Sequence, residues 1–151
     1  MSSATIIKHK QGAPMFRIFG LGPNMVPVRA LNQLKILLQE NSSWAKHREL
    51  KDLKKMLSHS STVITLWSKG KLIGFGRATS DSIYRAVLWD VIISEKYQRH
   101  GLGKLLINTF LDDSTIRNVE RIYIMTTNCK TFYESCGFKK VANQFLLVKT
   151  K

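Results

Sequence analysis

Acidic residues are scarce in this chain. Ten Asp and Glu stand against 24 Lys and Arg over 151 residues, a formal charge of +14 at pH 7. The shortage is sharpest in residues 1–80, which hold 13 basic residues and 3 acidic ones. Such a field disfavours polycations and draws polyanions: nucleic acid, an anionic membrane surface or a phosphorylated cofactor. Cysteine is almost missing too. Cys129 and Cys136 are the only two, which excludes a disulfide framework. On one short helix they would sit about two turns apart, beyond bonding reach. Reduced thiols in a cytosol-like compartment are expected. His9, His47, His59 and His100 show no ligand spacing, so no metal is expected. No apolar run approaches the ~18 residues that a spanning helix needs. The start, Met1 to Lys8, reads neither as a secretory leader nor as an Arg-rich presequence. No membrane insertion is expected, and action in the compartment of synthesis.

What remains, with 44% hydrophobic and 23% charged residues, suits a single domain over 1–151 with a core of its own. Residues 1–25 carry Gly12, Pro14, Gly20, Gly22 and Pro23 and read as loops around one short strand, Met15 to Phe19. Leu31, Leu34, Ile36, Leu37 and Leu38 recur among polar residues at helical spacing as far as Asn41. A second amphipathic helix is expected from Trp44 to Leu57. β-Branched runs then predict a hairpin, Thr62–Trp67 with Leu72–Thr79, and a third strand, Tyr84–Ile93. A helix from Gly103 to Leu111 follows, then a strand from Val119 to Thr126. A short helix from Asn128 to Cys136, closed by Gly137, precedes a last strand, Phe138–Val148. The series predicts an α/β (α+β) domain with a mixed sheet.

The segment richest in chemistry is Val91-Ile92-Ile93-Ser94-Glu95-Lys96-Tyr97-Gln98-Arg99-His100-Gly101-Leu102-Gly103-Lys104. A buried strand runs into a loop that opens a helix. Gly101 and Gly103 let the backbone turn and come close to a ligand. Free N–H groups at the helix start face an anion, with the positive end of the helix dipole behind them. Arg99 and Lys104 add charge at the same place. This combination suits a pyrophosphate. It is not the G-x-x-x-x-G-K-[ST] phosphate loop, and Arg99 and Leu106 leave a dinucleotide fingerprint incomplete. Taken alone, the loop also fits a plain strand–helix connection with two turn glycines.

Its context adds to this. Gln98-x-x-Gly101-x-Gly103 between a strand and a helix resembles the acetyl-CoA motif of the GNAT acetyltransferase superfamily. Thr131-Phe132-Tyr133-Glu134-Ser135-Cys136-Gly137-Phe138 resembles that superfamily's F-Y-E-x-x-G-F segment, at the expected distance. The resemblance runs from near Leu31 to the C-terminus. Lys71-Leu72-Ile73-Gly74-Phe75-Gly76-Arg77-Ala78-Thr79-Ser80-Asp81, followed by Trp89-Asp90-Val91, is similar to the plastid and cyanobacterial branch related to plant serotonin N-acetyltransferase.

The resemblance implies a mixed, mostly antiparallel central sheet with about four helices and splayed strands forming an acetyl-CoA cleft. Main-chain groups of Val91, Ile92 and Ile93 would pair with the pantetheine arm like an added strand. Those of Arg99, His100, Gly101, Leu102, Gly103 and Lys104 would hold the pyrophosphate, with Gln98 opening the motif. Tyr133 stands where the superfamily often has the acid that protonates the departing CoA thiolate. A phenol of pKa ~10 keeps its proton at neutral pH for that task. Thr126 departs from the pattern, because many relatives have there an Asn that bonds CoA. Asp90, on the splaying strand, is the first choice for the base that takes the amine's proton, ahead of Glu120 and Glu95, although its counterpart is commonly structural in related sequences. A water chain often serves in the superfamily instead.

The co-substrate so implied is acetyl-CoA, with direct attack by an amine in a ternary complex. The acceptor is an arylalkylamine such as serotonin or tryptamine, or a lysine or N-terminal amine of a protein; the charge of +14 disfavours cationic acceptors unless Asp90, Glu95, Glu120 and Glu134 form a local acidic patch. A plastid stroma or cytoplasmic setting fits the resemblance, as does a homodimer. A second reading belongs to a different class: a basic nucleic-acid-associated protein that keeps the fold and works by binding. Its footprint would be Lys46, Arg48, Lys51, Lys54 and Lys55, which otherwise read as a solvated helix face. Cys129 lacks a matched histidine and reads as a core thiol. Trp67 and Trp89 read as strand core, with Trp89 also able to wall an acceptor pocket.

Overall fold

The computed structural model describes residues 4–11 and 15–151. Five strands form one sheet in the order β1 (Thr5–His9), β2 (Thr62–Ser68), β3 (Lys71–Ser80), β4 (Arg85–Ile93) and β5 (Arg121–Ile124). Neighbours run antiparallel except β4 and β5, which are parallel. Four helices join them: α1 (Ala30–Asn41), α2 (Leu50–Ser58), α3 (Leu102–Leu111) and α4 (Lys130–Ser135). This is the mixed, mostly antiparallel architecture that the sequence led us to expect.

Both faces of the sheet are covered, and that explains the sequence of β2. Thr-Val-Ile-Thr-Leu-Trp-Ser does not alternate, because all seven of its residues are buried. On one face α1 and α2 place Leu34, Leu38, Leu53 and Leu57 in a core with Trp67 and Phe75. On the other, α3 sets Leu106, Ile107 and Phe110 against Ile64, Leu66 and Leu88, and Tyr133 of α4 joins them. Each fully buried side chain of this size contributes about 1.5–3 kcal/mol. Gly76 lets α3 rest on β3, since a Cβ there would lie 2.8 Å from Phe110 Cε2. No helix among the described residues is long and apolar enough to cross a membrane.

Several expected elements differ. Met15–Phe19 is a π-helical turn and not a strand. The edge of the sheet is taken by Thr5–His9, paired with β2 from Thr5↔Trp67 to His9↔Val63. Phe16 instead plugs the core, stacked on His9 at 4.9 Å. Gly12 and Pro14 lie outside the described residues. The second helix starts at Leu50 and not at Trp44, because Trp44 and Arg48 reach across to β4. The strand expected over Val119–Thr126 shortens to Arg121–Ile124. The last strand, Phe138–Val148, does not enter the sheet. Phe145, Leu146, Leu147 and Val148 are between 69% and 89% exposed. Four consecutive apolar residues suit a strand covered on both faces, and the short edge strand β5 offers no such cover.

Candidate functional site

β4 carries the feature that makes a site. It pairs with β5 only from Arg85↔Arg121 to Leu88↔Ile124. Beyond Leu88 the two strands diverge, and Trp89–Ile93 keep only β3 beside them. Main-chain groups of Val91, Ile92 and Ile93 therefore border a cleft on the side that β5 has left. A bulge sits at the same point. Between Trp89↔Arg77 and Ile92↔Phe75, two β4 residues, Asp90 and Val91, oppose the single Gly76. Asp90 takes the left-handed φ of 53° that this requires. The bulge also reverses the faces, so that Leu88 packs on the α3 side and Ile92 in the α1–α2 core.

The glycine loop follows directly. A 3-10 turn, Glu95–Tyr97, leads to Gln98, whose Nε2 donates to the Ile93 carbonyl at 3.0 Å and folds the loop back on β4. Arg99 and Gly101 have φ of 62° and 77°, and Gly101 immediately precedes α3. By the geometry of a helix start, the first N–H groups, of Leu102, Gly103 and Lys104, have no carbonyl four residues behind them. Arg99, His100 and Lys104 are exposed around that end. Gly103 marks a close approach: a Cβ there would lie 3.1 Å from Phe132 Cζ on α4. Val91–Ile93 and Gln98–Lys104 thus meet at one end of the cleft.

α4 supplies Tyr133, a residue only 8% exposed. It stands edge-on to Phe132 at 5.0 Å and to Phe138 at 6.0 Å. Burial, with Cys129 and Cys136 nearby, pushes its phenol up to about 12. It therefore keeps its proton across the physiological range. Thr126 Oγ1 accepts the Cys129 N–H at 3.0 Å and so shapes the turn into α4. Cys129, expected in the core, is exposed; Cys136 is half-buried, and both are free thiols.

Asp90 lies at the bulge with its side chain 4% exposed. Arg48 Nη1 and Arg77 Nε reach its Oδ2 at 2.9 and 2.8 Å, and Trp44 Nε1 donates to Oδ1 at 3.1 Å. Burial alone would raise its pKa. The hydrogen bonds and charges of the two guanidinium groups outweigh this and hold the carboxyl below the usual range. A carboxylate so engaged is a weak proton acceptor at neutral pH. Arg77 also lies 5.5 Å from the centre of the Trp89 ring, and Trp89 Nε1 donates to Thr79 Oγ1 at 2.8 Å. Sequence reasoning missed Trp44, Arg48 and Arg77. One signal was present: the charged Asp90 interrupts the apolar run of β4 from Ala86 to Ile93. Of the weaker base candidates, Glu120 bridges Arg85 at 3.3 Å and Arg121 at 3.7 Å. Glu95 is exposed, and its backbone N–H donates to Asn41 Oδ1 at 3.0 Å.

A cavity of about 890 Å³ adjoins this region, lined by Val87 and Trp89 of β4, by β5, by Thr126 and Tyr133, and by Phe145 and Leu146 of the C-terminal segment. None of its lining residues belongs to the glycine loop.

Against known proteins, a model of the acetyltransferase (GNAT) family matches residues 31–138. The ycf52 protein of Pyropia yezoensis, described as an uncharacterised N-acetyltransferase, is 36% identical over 108 residues, 68% of this chain and 62% of that protein. The chloroplastic GCN5-related N-acetyltransferase 2 of Arabidopsis thaliana is 37% identical over 70 residues, 46% of this chain and 27% of that protein. The chain thus spans less than two thirds of the length of these curated relatives. Among solved structures, the aminoglycoside N-acetyltransferase AAC(6')-Iy in complex with CoA matches with a TM-score of 0.69 at 16% identity. That match covers 99% of this chain and 96% of the other, a likeness of fold.

Proposed function

The chain belongs to the GNAT family of acetyltransferases, and from that premise we propose that it moves the acetyl group of acetyl-CoA onto a primary amine. One observation carries the proposal: a stretch of β4 backbone open on its β5 side leads through one turn into a helix start that is ringed by cations. These residues fit the two parts of the cofactor. An extended amide-bearing arm can pair with Val91, Ile92 and Ile93, and a pyrophosphate can take the N–H groups of Gly101 to Lys104. The open space around the Gly101 Cβ position suits a backbone that a ligand approaches closely. Acetyl-CoA, when bound, supplies an activated thioester carbonyl.

This chain's own residues then have separable tasks. Tyr133 gives its proton to sulfur as the C–S bond breaks; its raised pKa means that the proton is present when needed. Asp90 positions. By tying the α1–α2 connection to the β4 bulge through Arg48 and Trp44, it fixes the strand that flanks the reacting carbonyl. The amine's proton passes to water in the cleft. Thr126 orders the turn before α4, and its hydroxyl would stand in for the Asn that bonds CoA in many relatives. The chloroplastic relative supports a plastid setting.

The test is thiol release from acetyl-CoA by the full chain, with serotonin, tryptamine, a polyamine, a lysine peptide and a free-N-terminus peptide as acceptors. Turnover with an N-acetylated product is expected, and Tyr133→Phe should lower kcat. A chain that neither binds acetyl-CoA nor releases thiol would overturn the reading.

A further inference from the structure

The charge around the cavity narrows the acceptor. Four of the charged side chains that line it, Arg121, Lys130, Lys139 and Lys140, are cations, and Glu134 is the one carboxylate among them. Glu134 already bridges Lys130 at 3.5 Å. The sheet face beside the cavity repeats the pattern. Arg77 stands directly opposite Trp89 in the β3–β4 register and so shares its face. The Asp90 charge is met twice, by Arg48 and Arg77, which leaves that cluster with a surplus positive charge. Glu120 is held between Arg85 and Arg121. Three of the acids that could attract an ammonium group, Asp90, Glu120 and Glu134, are therefore each paired with a cation of this chain. Apolar surface faces the same space, from Val87, Trp89 and Tyr123.

We infer that the acceptor is a primary amine that itself carries a carboxylate on an apolar or aromatic frame, and not a polyamine or a basic peptide. This rests on the transferase reading above. The carboxylate settles between Lys139 and Lys140, which no acid of the chain pairs among the described residues, and the frame lies on Trp89 and Tyr123. The same field has a chemical effect. Neighbouring positive charge disfavours the ammonium form, so the bound amine is shifted towards the neutral nucleophile without a dedicated side-chain base. The step balances. The nitrogen lone pair forms the N–C bond, the C–S bond breaks, one amine proton leaves to water, and Tyr133 protonates the sulfur and recovers its proton from solvent.

Matched acceptors test this: tryptophan against tryptamine, and the C-terminally amidated dipeptide Ala-Asp against amidated Ala-Lys, by thiol release from acetyl-CoA with the full chain. The carboxylate-bearing member of each pair should have at least tenfold higher kcat/KM, a ratio that shrinks as salt rises. The double variant Lys139→Gln/Lys140→Gln should bring the ratio down towards one. Equal or better turnover of tryptamine and Ala-Lys would overturn the inference. If no acceptor releases thiol, the transferase reading fails, and a second readout judges the acceptor separately. Thermal protection by N-acetyltryptophan but not by N-acetyltryptamine would uphold the carboxylate site; equal or absent protection would overturn it.

Discussion

Replacing Asp90 with Asn separates a positioning carboxylate from a catalytic base. The amide is nearly isosteric and keeps an oxygen for Trp44, so the bulge geometry can survive. What disappears is the charge that Arg48 and Arg77 share. Removing one partner of a buried ion pair costs about 3–5 kcal/mol. The Arg77 side chain is 15% exposed and has little recourse to water, whereas Arg48 is 30% exposed and is partly rehydrated. That places the loss near the lower end, about 3 kcal/mol. For a domain of this size, at about 2–4 °C per kcal/mol, the melting temperature falls by roughly 6–12 °C. The folded-state pKa of Asp90 lies below its ordinary 3.8. Its stabilisation is therefore fully present above that value and is lost as pH falls through the lower, folded one. Thermal melts at pH 7 should show the full gap between Asp90→Asn and the parent chain, and melts in strong acid should show it closed. Below the melting range, the variant's pH–rate profile should keep its form, with kcat reduced by less than about tenfold. An unchanged melting temperature with kcat down about a thousandfold would make Asp90 the base and not a positioning residue.

Tyr133→Phe should lower kcat about a hundredfold with little change in KM. In the parent chain the phenol pKa near 12 should hold the rate level through pH 10, and an alkaline fall centred near 10 would show an unshifted tyrosine. Gly101→Val places a β-branched residue at φ 77° with nothing within 4 Å of its Cβ. It should cost about 1–2 kcal/mol of stability from the left-handed backbone and raise KM for acetyl-CoA far more than KM for the amine; unchanged binding would exclude the loop from the cofactor site. His9 is lowered to about 4, by burial first and then by Arg17. It stays neutral when folded but takes up a proton when unfolded, so stability should fall as pH drops from 6.5 to 4, by up to about 1.4 kcal/mol per unit. His9→Gln should flatten that slope in acid-range melts.

The parts of the fold that were legible are those written locally. Leu31 to Leu38 carry the period of α1, and the Lys69-Gly70 turn separates two β-branched runs. Gly101 and Gly137 sit where left-handed φ is needed, at 77° and 93°. The conformation of the glycine loop was legible for the same reason, since its residues are contiguous. What escaped depends on distant partners. Thr5–His9 is a half-buried edge strand whose pairing with β2 lies more than fifty residues away. Trp44 to Glu49 has a helical pattern, yet the bond from Trp44 to Asp90 spans 46 positions and no local periodicity encodes it. The same tie changes the reading of Asp90, which looks like an available base in the strand until Arg48 and Arg77 are brought onto it. At the C-terminus the apolar run Phe145–Val148 has strand composition, but composition supplies no neighbour.

In the proposed reaction the splayed β4 edge and the glycine loop hold acetyl-CoA for direct transfer to an amine. A single-turnover reaction with acetyl-CoA labelled in its acetyl group tests it most directly, with products and protein separated by mass. Direct transfer puts label on the amine in equal amount to the thiol released, and none on the chain. Label retained on the protein, at exposed Cys129 for example, or released only as acetate, would contradict it.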